Sequence, residues 1–144
     1  MRWMKRQRRK GSAIVELSLM GPWIFLMFAG VLDFGFYSYA LIATENAARV
    51  GALRASQDAS VTNLEICRSV LGEMAALPNT KTVTSCSALP VKVDVAESTE
   101  GISPNIYTVR KVTVTYQTVQ LMPIPGLTGR LTASRSVTMR VKAE

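Results

Sequence analysis

Residues 12–44 hold only two charged side chains, Glu16 and Asp33, and the sixteen residues between them are almost wholly apolar. On a helix rising about 1.5 Å per residue the two carboxylates stand roughly 25 Å apart, close to the ~30 Å of a hydrocarbon core. They are spaced to meet the two faces of a bilayer, with Trp23, Phe25 and Phe28 in between. A carboxylate carried this far into an apolar stretch is costly in lipid, so Glu16 calls for a functional explanation. Pro22, the one breaker, removes a backbone donor and crowds the Ser18 carbonyl, so a kink or local loosening is expected there.

The chain has 144 residues, room for one domain and one membrane element but not for two full cores. Its net charge of +7 suggests a nucleic-acid binder until the charge is located. Arg2, Lys5, Arg6, Arg8, Arg9 and Lys10 all precede Gly11, so 11 of the 17 basic residues face 10 acidic ones in the remainder. The body is nearly neutral and offers no phosphate-binding surface by charge. The tail instead acts as a positive-inside signal, with the N-terminus cytoplasmic and everything after Ala43 extracytoplasmic. A cleaved secretory peptide is the rival reading. The apolar run exceeds an h-region of about 7–15 residues, and no small-residue cleavage signal stands out.

The helical pattern continues past the span. Ala43, Ala47, Gly51 and Ala55 recur every four residues, a stripe that lets another backbone approach closely. Glu45, Arg49 and Gln57 lie on the opposite side. A helix over residues 13–55 is on the order of 60 Å long, twice what a bilayer needs. Its outer half must pack on its own domain, on other subunits, or on both. After a break at 57–60, residues 61–77 read as a second helix with Thr62 as N-cap, Glu65 completing a capping box, and a stripe of Leu64, Cys67, Leu71, Met74 and Leu77. Core packing is the ordinary role for such a stripe.

From Lys81 the period changes to two. Residues 82–86 form a weak strand candidate, 91–95 a clean alternation, 97–105 an acidic Ser/Gly/Pro loop, and 106–121 the longest strand candidate. Its phase slips at Arg110-Lys111, where a bulge reconciles the halves. Residues 122–126 must turn the chain. Residues 131–142 alternate again, except that Arg135 falls on the apolar side, at the rim or within reach of Asp94 or Glu97. The fold class is α+β: a long N-terminal helix packed on an antiparallel sheet of three or four strands, with a second short helix.

Cys67 and Cys86 suit one disulfide if their segment lies in an oxidising compartment, worth about 3 kcal/mol for a loop of roughly 20 residues. Two unrelated buried thiols are the alternative. With no histidine, histidine triads and histidine metal ligands are excluded. Asp94, Glu97 and Glu100 gather near the loop, without a nucleophile–base pair, a phosphate-cradling glycine loop or metal-ligand spacing. The expectation is a non-enzyme with no cofactor, metal, nucleic acid or small-molecule substrate.

Gly11-Ser12-Ala13-Ile14-Val15-Glu16, after a basic leader and ahead of a long apolar helix, resembles the type IV prepilin processing site. The resemblance implies cleavage after Gly11 by a prepilin peptidase, leaving Ser12 as the first residue and Glu16 as the fifth. Glycine keeps the backbone accessible at the cut. Glu16 then has a partner in the new amine on Ser12 of a neighbouring subunit, which relieves the cost of its charge among apolar helices. More closely, residues 10–54 resemble the TadE-like family of pilin-like subunits of the tight-adherence (Flp pilus) machinery. The matching residues are Gly11, Glu16, Pro22, Gly30-Val31-Leu32-Asp33-Phe34-Gly35 and Asn46-Ala47-Ala48-Arg49-Val50-Gly51-Ala52. Leu17 departs from the phenylalanine that usually follows the glutamate in pilins.

The resemblance implies a minor pseudopilin of pilus assembly and adhesion, with residues 1–11 a cleaved leader, 12–57 the long helix and 58–144 an extracytoplasmic domain. Its location is the bacterial inner membrane as a single-pass protein, or the pilus itself. Its partners are membrane lipid, the prepilin peptidase, other pilin and pseudopilin subunits and the assembly platform. The reading from a different class is an uncleaved single-pass protein whose periplasmic domain is an interaction module of a secretion apparatus.

Overall fold

The computed structural model describes residues 12–119 and 130–142. Helix α1, Ser12–Gln57, runs unbroken through Pro22 for 46 residues, about 69 Å at the usual rise. A short helix and a four-stranded sheet gather on its C-terminal half, giving an α+β fold.

Helix α2, Asn63–Glu73, starts on the expected capping box. The Glu65 amide donates to the Thr62 hydroxyl at 3.4 Å, and the Thr62 amide donates to the Glu65 carboxylate at 3.1 Å. It ends earlier than the 61–77 pattern suggests. Met74 leaves helical geometry, and the Thr80 hydroxyl lies within hydrogen-bond reach of two carbonyls freed at that end, Met74 at 2.9 Å and Leu77 at 2.8 Å. Asn79 turns the chain with φ of 55°. Met74 and Leu77 are still buried, so their spacing reported the core and not the helix length. Leu64 is 53% exposed, and the inward face is Ile66, Cys67, Val70, Met74 and Leu77.

The strands are β1 Ser87–Ala88, β2 Val91–Ile102, β3 Asn105–Gln117 and β4 Thr132–Arg140, antiparallel in the order β1-β2-β3-β4. Three expectations are corrected. Residues 82–86 are not a strand; pairing begins only at Ser87. Residues 97–105 are not a loop, because β2 and β3 pair without interruption from Val91↔Tyr116 to Ile102↔Asn105, joined by Ser103-Pro104 alone. This outer ribbon overhangs the core, so neither face is buried and no alternation marks it in the sequence. Gly101 (φ +122) makes the close turn possible, since a Cβ there would collide with the Asn105 carbonyl oxygen. There is also no bulge at Arg110-Lys111, because the register is continuous. The turn expected at 122–126 lies outside the described residues.

The core is thin. Ala40, Ala47, Ala48, Ala52 and Ala55 of α1 meet Val112, Val114 and Tyr116 of β3, with α2 closing one side. Alanine on the helix lets the sheet lie close, while the larger side chains come from the strands. The other sheet face is polar, with Lys92, Asp94, Thr113, Thr115, Ser134 and Ser136 half-buried or exposed.

Candidate functional site: a half-sheathed helix

The two halves of α1 have opposite surroundings. From Ala13 to Tyr39 the helix stands clear of the domain, and large apolar side chains are exposed on every side. Ile14 is 71% exposed, Trp23 71%, Met27 73% and Phe34 72%. A helix apolar all round belongs in lipid or among other helices. This one is long and apolar enough to cross a membrane. Two serine hydroxyls within it bond to the helix's own carbonyls. The Ser18 hydroxyl donates to the Val15 carbonyl at 2.8 Å and the Ser38 hydroxyl to the Phe34 carbonyl at 2.9 Å, which lowers the cost of carrying them in lipid. Tyr37 and Tyr39 stand four and six residues beyond Asp33, where a phenol ring can sit at a membrane–water interface.

Above Tyr39 the helix is sheathed. Ala47, Gly51 and Ala55 are buried and Ala43 half-buried, and their close neighbours are the chain's own. A Cβ on Gly51 would lie 2.9 Å from Val70 Cγ2 and 3.2 Å from Val112 Cγ1. The small-residue stripe in the outer half is therefore used within the subunit. On its flank Glu45 pairs with Arg49 at 2.7 Å and reaches Arg135 of β4 at 3.8 Å. Arg135 thus contacts the helix, and not Asp94 or Glu97.

The end of α1 is held by a residue that the strand pattern makes look misplaced. Arg110 shares the inner face of β3 with Val112 and Val114, and its side chain is only 11% exposed. Nη1 lies 3.3 Å from the carbonyls of Ala55 and Asp58 and 3.5 Å from that of Val61, Nη2 donates to Ala59 at 2.7 Å, and Nε donates to Glu97 at 3.0 Å. One guanidinium thus gathers the carbonyls at the helix C-terminus, where the dipole also favours a cation. Beside it the Ser60 amide donates to Asp58 at 2.9 Å and the Ser60 hydroxyl at 2.8 Å. These bonds hold the Asp58 carboxyl below its usual range.

Gly11 and the basic residues before it lie outside the described residues. Ser12 is the first residue of α1, and Glu16 stands one turn further along the bare half. Cys67 and Cys86 form a disulfide with Cα atoms 5.8 Å apart, tying α2 to the start of the sheet. Asp94 pairs with Lys92 at 2.8 Å and Glu97 with Arg110 at 3.0 Å, while Glu100 stands exposed on β2, so the three acids do not converge on one site. Sequence reasoning passed over Arg110 and the Tyr37/Tyr39 pair. The phase slip in β3 was the signal for the first, and aromatic placement just beyond Asp33 for the second.

Residues 11–53 match the family model of TadE-like proteins. The match runs along α1 from the glycine ahead of Ser12 almost to the helix end, covering the bare half and most of the sheathed half. No curated protein and no solved structure matches the chain. The similarity is to TadE-like proteins and is confined to the first helix.

Proposed function

We propose that this protein is a structural minor pseudopilin. In this reading a prepilin peptidase cuts after Gly11, α1 anchors the subunit in the inner membrane with its domain on the extracytoplasmic side, and the subunit takes part in assembly of a Tad (Flp) pilus and in adhesion. The observation that carries the reading is the coincidence of the TadE-like match with a helix bare and apolar for its first half and sheathed for its second. A subunit built to pass between lipid and a helical bundle needs such a bare half. It also needs a domain that already satisfies its own core, so that exchange of lipid for protein leaves the fold untouched. In that exchange Glu16 pairs with the free amine of Ser12 on a neighbour, and the pairing is what makes a buried carboxylate tolerable.

The protein acts in this account as the substrate of an enzyme and not as a catalyst. Its partners are the peptidase, other pilin-like subunits and the assembly platform. The second reading, an uncleaved single-pass protein whose domain serves as an interaction module, is favoured by the closed core and the disulfide, which make the domain self-sufficient.

Glu16→Ala separates the two. The pseudopilin reading expects normal membrane levels, lost incorporation into sheared pili, and partial recovery with Glu16→Asp. Wild-type protein absent from sheared pili, with unchanged piliation of the Glu16→Ala strain, would support the module.

A further inference from the structure

We infer that the end of the domain nearest the bare half of α1 is a lipid-contacting rim, in which Leu89 and Leu131 face the head-group layer and Lys81 and Arg130 bind anionic phospholipid. This rests on the reading of α1 as a membrane span, and the experiment below tests the two separately.

The sheet has two distinct ends. One lies against the C-terminus of α1, where the Lys142 amide donates to the Ser56 carbonyl at 2.9 Å and Arg110 holds residues 55–61. The other lies toward the bare half. There the Gln117 amide donates to Pro90 at 2.8 Å, the Thr118 amide to Leu131 at 2.9 Å, and the Tyr116 hydroxyl to Pro78 at 2.9 Å. Asn79 bonds the Gln117 carbonyl at 3.4 Å. These bonds bring the segments around Pro78, Pro90, Gln117 and Leu131 to one level. The first core residue on α1 is Ala40.

Ala40 is seven residues past Asp33, about 10 Å along the helix. A bilayer with a ~30 Å hydrocarbon core and ~40–45 Å overall thickness, centred on the Glu16–Asp33 interval, has its surface roughly 8–10 Å beyond Asp33. The rim and the lipid surface therefore fall at the same height. Tyr37 and Tyr39 lie just below, in the layer where phenol rings anchor. A tilt of about 20°, usual for a single span, lowers a rim that stands beside the helix axis by a few ångströms.

The chemistry of the rim suits this height. Leu89 is 48% exposed and Leu131 51%. Residues 78–90, 117–119 and 130–132 contain no Asp or Glu. Asp58, Glu97 and Glu100 lie toward the opposite end, and Glu45 of α1 is paired with Arg49 and Arg135. Glu73 is the nearest acid on α2, at its last residue. Lys81 and Arg130 are exposed, and among the described residues neither has an ion-pair partner. Two open cations flanking two open leucines, with no acid among them, match an anionic head-group surface.

The test uses the full chain in vesicles of phosphatidylcholine with phosphatidylglycerol, and in vesicles of phosphatidylcholine alone. Nitroxide labels are placed singly at Phe28→Cys in the span, Ile102→Cys at the far hairpin tip, and Leu131→Cys or Leu89→Cys at the rim. Collisions with oxygen and with a water-soluble nickel chelate are read by power saturation. The rim labels should be several-fold less accessible to nickel than position 102 in phosphatidylglycerol vesicles, while open to oxygen. The difference should narrow in phosphatidylcholine and in Lys81→Gln/Arg130→Gln, each lost cation lowering the docked-to-free ratio about fivefold. Nickel access at the rim equal to that at 102, with position 28 shielded, overturns the rim and leaves the span standing. Rim labels shielded from both reagents regardless of lipid charge indicate a protein contact and also overturn it. Nickel access at position 28 overturns the span and the rim together.

Discussion

Arg110 Nη2 donates to the main-chain carbonyl of Ala59 at 2.7 Å, bridging 51 residues of sequence. Through this bond and those to Ala55, Asp58 and Val61, the sheet takes hold of the end of the helix that carries the rest of the molecule. A short polar connection of residues 58–62 would otherwise leave the end of α1 with open carbonyls under the sheet.

Arg110→Ala should therefore lower the unfolding free energy of the domain by about 2–4 kcal/mol, because carbonyls remain half-buried without a donor. Arg110→Lys should recover only part of this, since an ammonium cannot fork to several carbonyls at once. Glu97→Ala, at a carboxylate 56% exposed, should cost less than about 1 kcal/mol. Denaturant titrations of the full chain in detergent distinguish the three. Equal costs for Arg110→Ala and Glu97→Ala would mean that the ion pair, and not the carbonyl cluster, is what matters.

Gly51 of α1 and Gly72 of α2 should answer substitution oppositely. Gly51 faces Val70 and Val112 with no space for a larger side chain, whereas nothing lies within 4 Å of a Cβ on Gly72. Gly51→Val should destabilise by about 1–3 kcal/mol through overpacking. Gly72→Ala should be neutral or stabilise by up to about 1 kcal/mol through helix propensity. Thermal melts of the two variants side by side check the pair.

Reduction should loosen the domain and leave the anchor in place. The Cys67–Cys86 bond closes a separation of 19 residues, and its loss should cost about 3 kcal/mol. The Cys67→Ala/Cys86→Ala variant should melt earlier than wild type and match it under reducing conditions. Unaltered membrane partitioning of the same variant would show that the bond serves the domain alone.

Asp58 makes part of the stability pH-dependent. Its carboxyl is held low first by the Ser60 amide and then by the Ser60 hydroxyl. A depressed carboxylate contributes stability that is fully present above the unfolded value, near ~3.9, and is lost as pH falls through the folded one. The melting difference between wild type and Asp58→Asn should hold from neutral pH to about pH 5 and shrink below about pH 4. A difference constant through that range contradicts the assignment.

The features readable from sequence were those with a single cause. Sixteen uncharged residues between Glu16 and Asp33 have few uses, and Thr62 with Glu65 in front of an apolar stripe has one ordinary meaning. What escaped had two causes competing at one position. Arg110 looked like a slipped register because an inward arginine breaks alternation as a bulge does, and only the carbonyls of residues 55–61 explain it. Residues 97–105 looked like a loop because strand patterning reports burial, and this part of the ribbon buries neither face. Arg135 likewise found its carboxylate on the helix, at Glu45, a pairing that strand order alone cannot supply. The small-residue stripe was legible as a close contact but not as an internal one, since spacing does not say which backbone approaches.

Cleavage at the glycine–serine junction underlies the proposed function, and the N-terminal mass of the protein reports on it. With the chain co-expressed with its prepilin peptidase, and membrane and sheared-pilus fractions analysed by mass spectrometry, the account predicts a chain beginning at Ser12. Gly11→Val should hold it at full length. A chain that still begins at Met1 in every fraction, with Gly11→Val making no difference, contradicts the account.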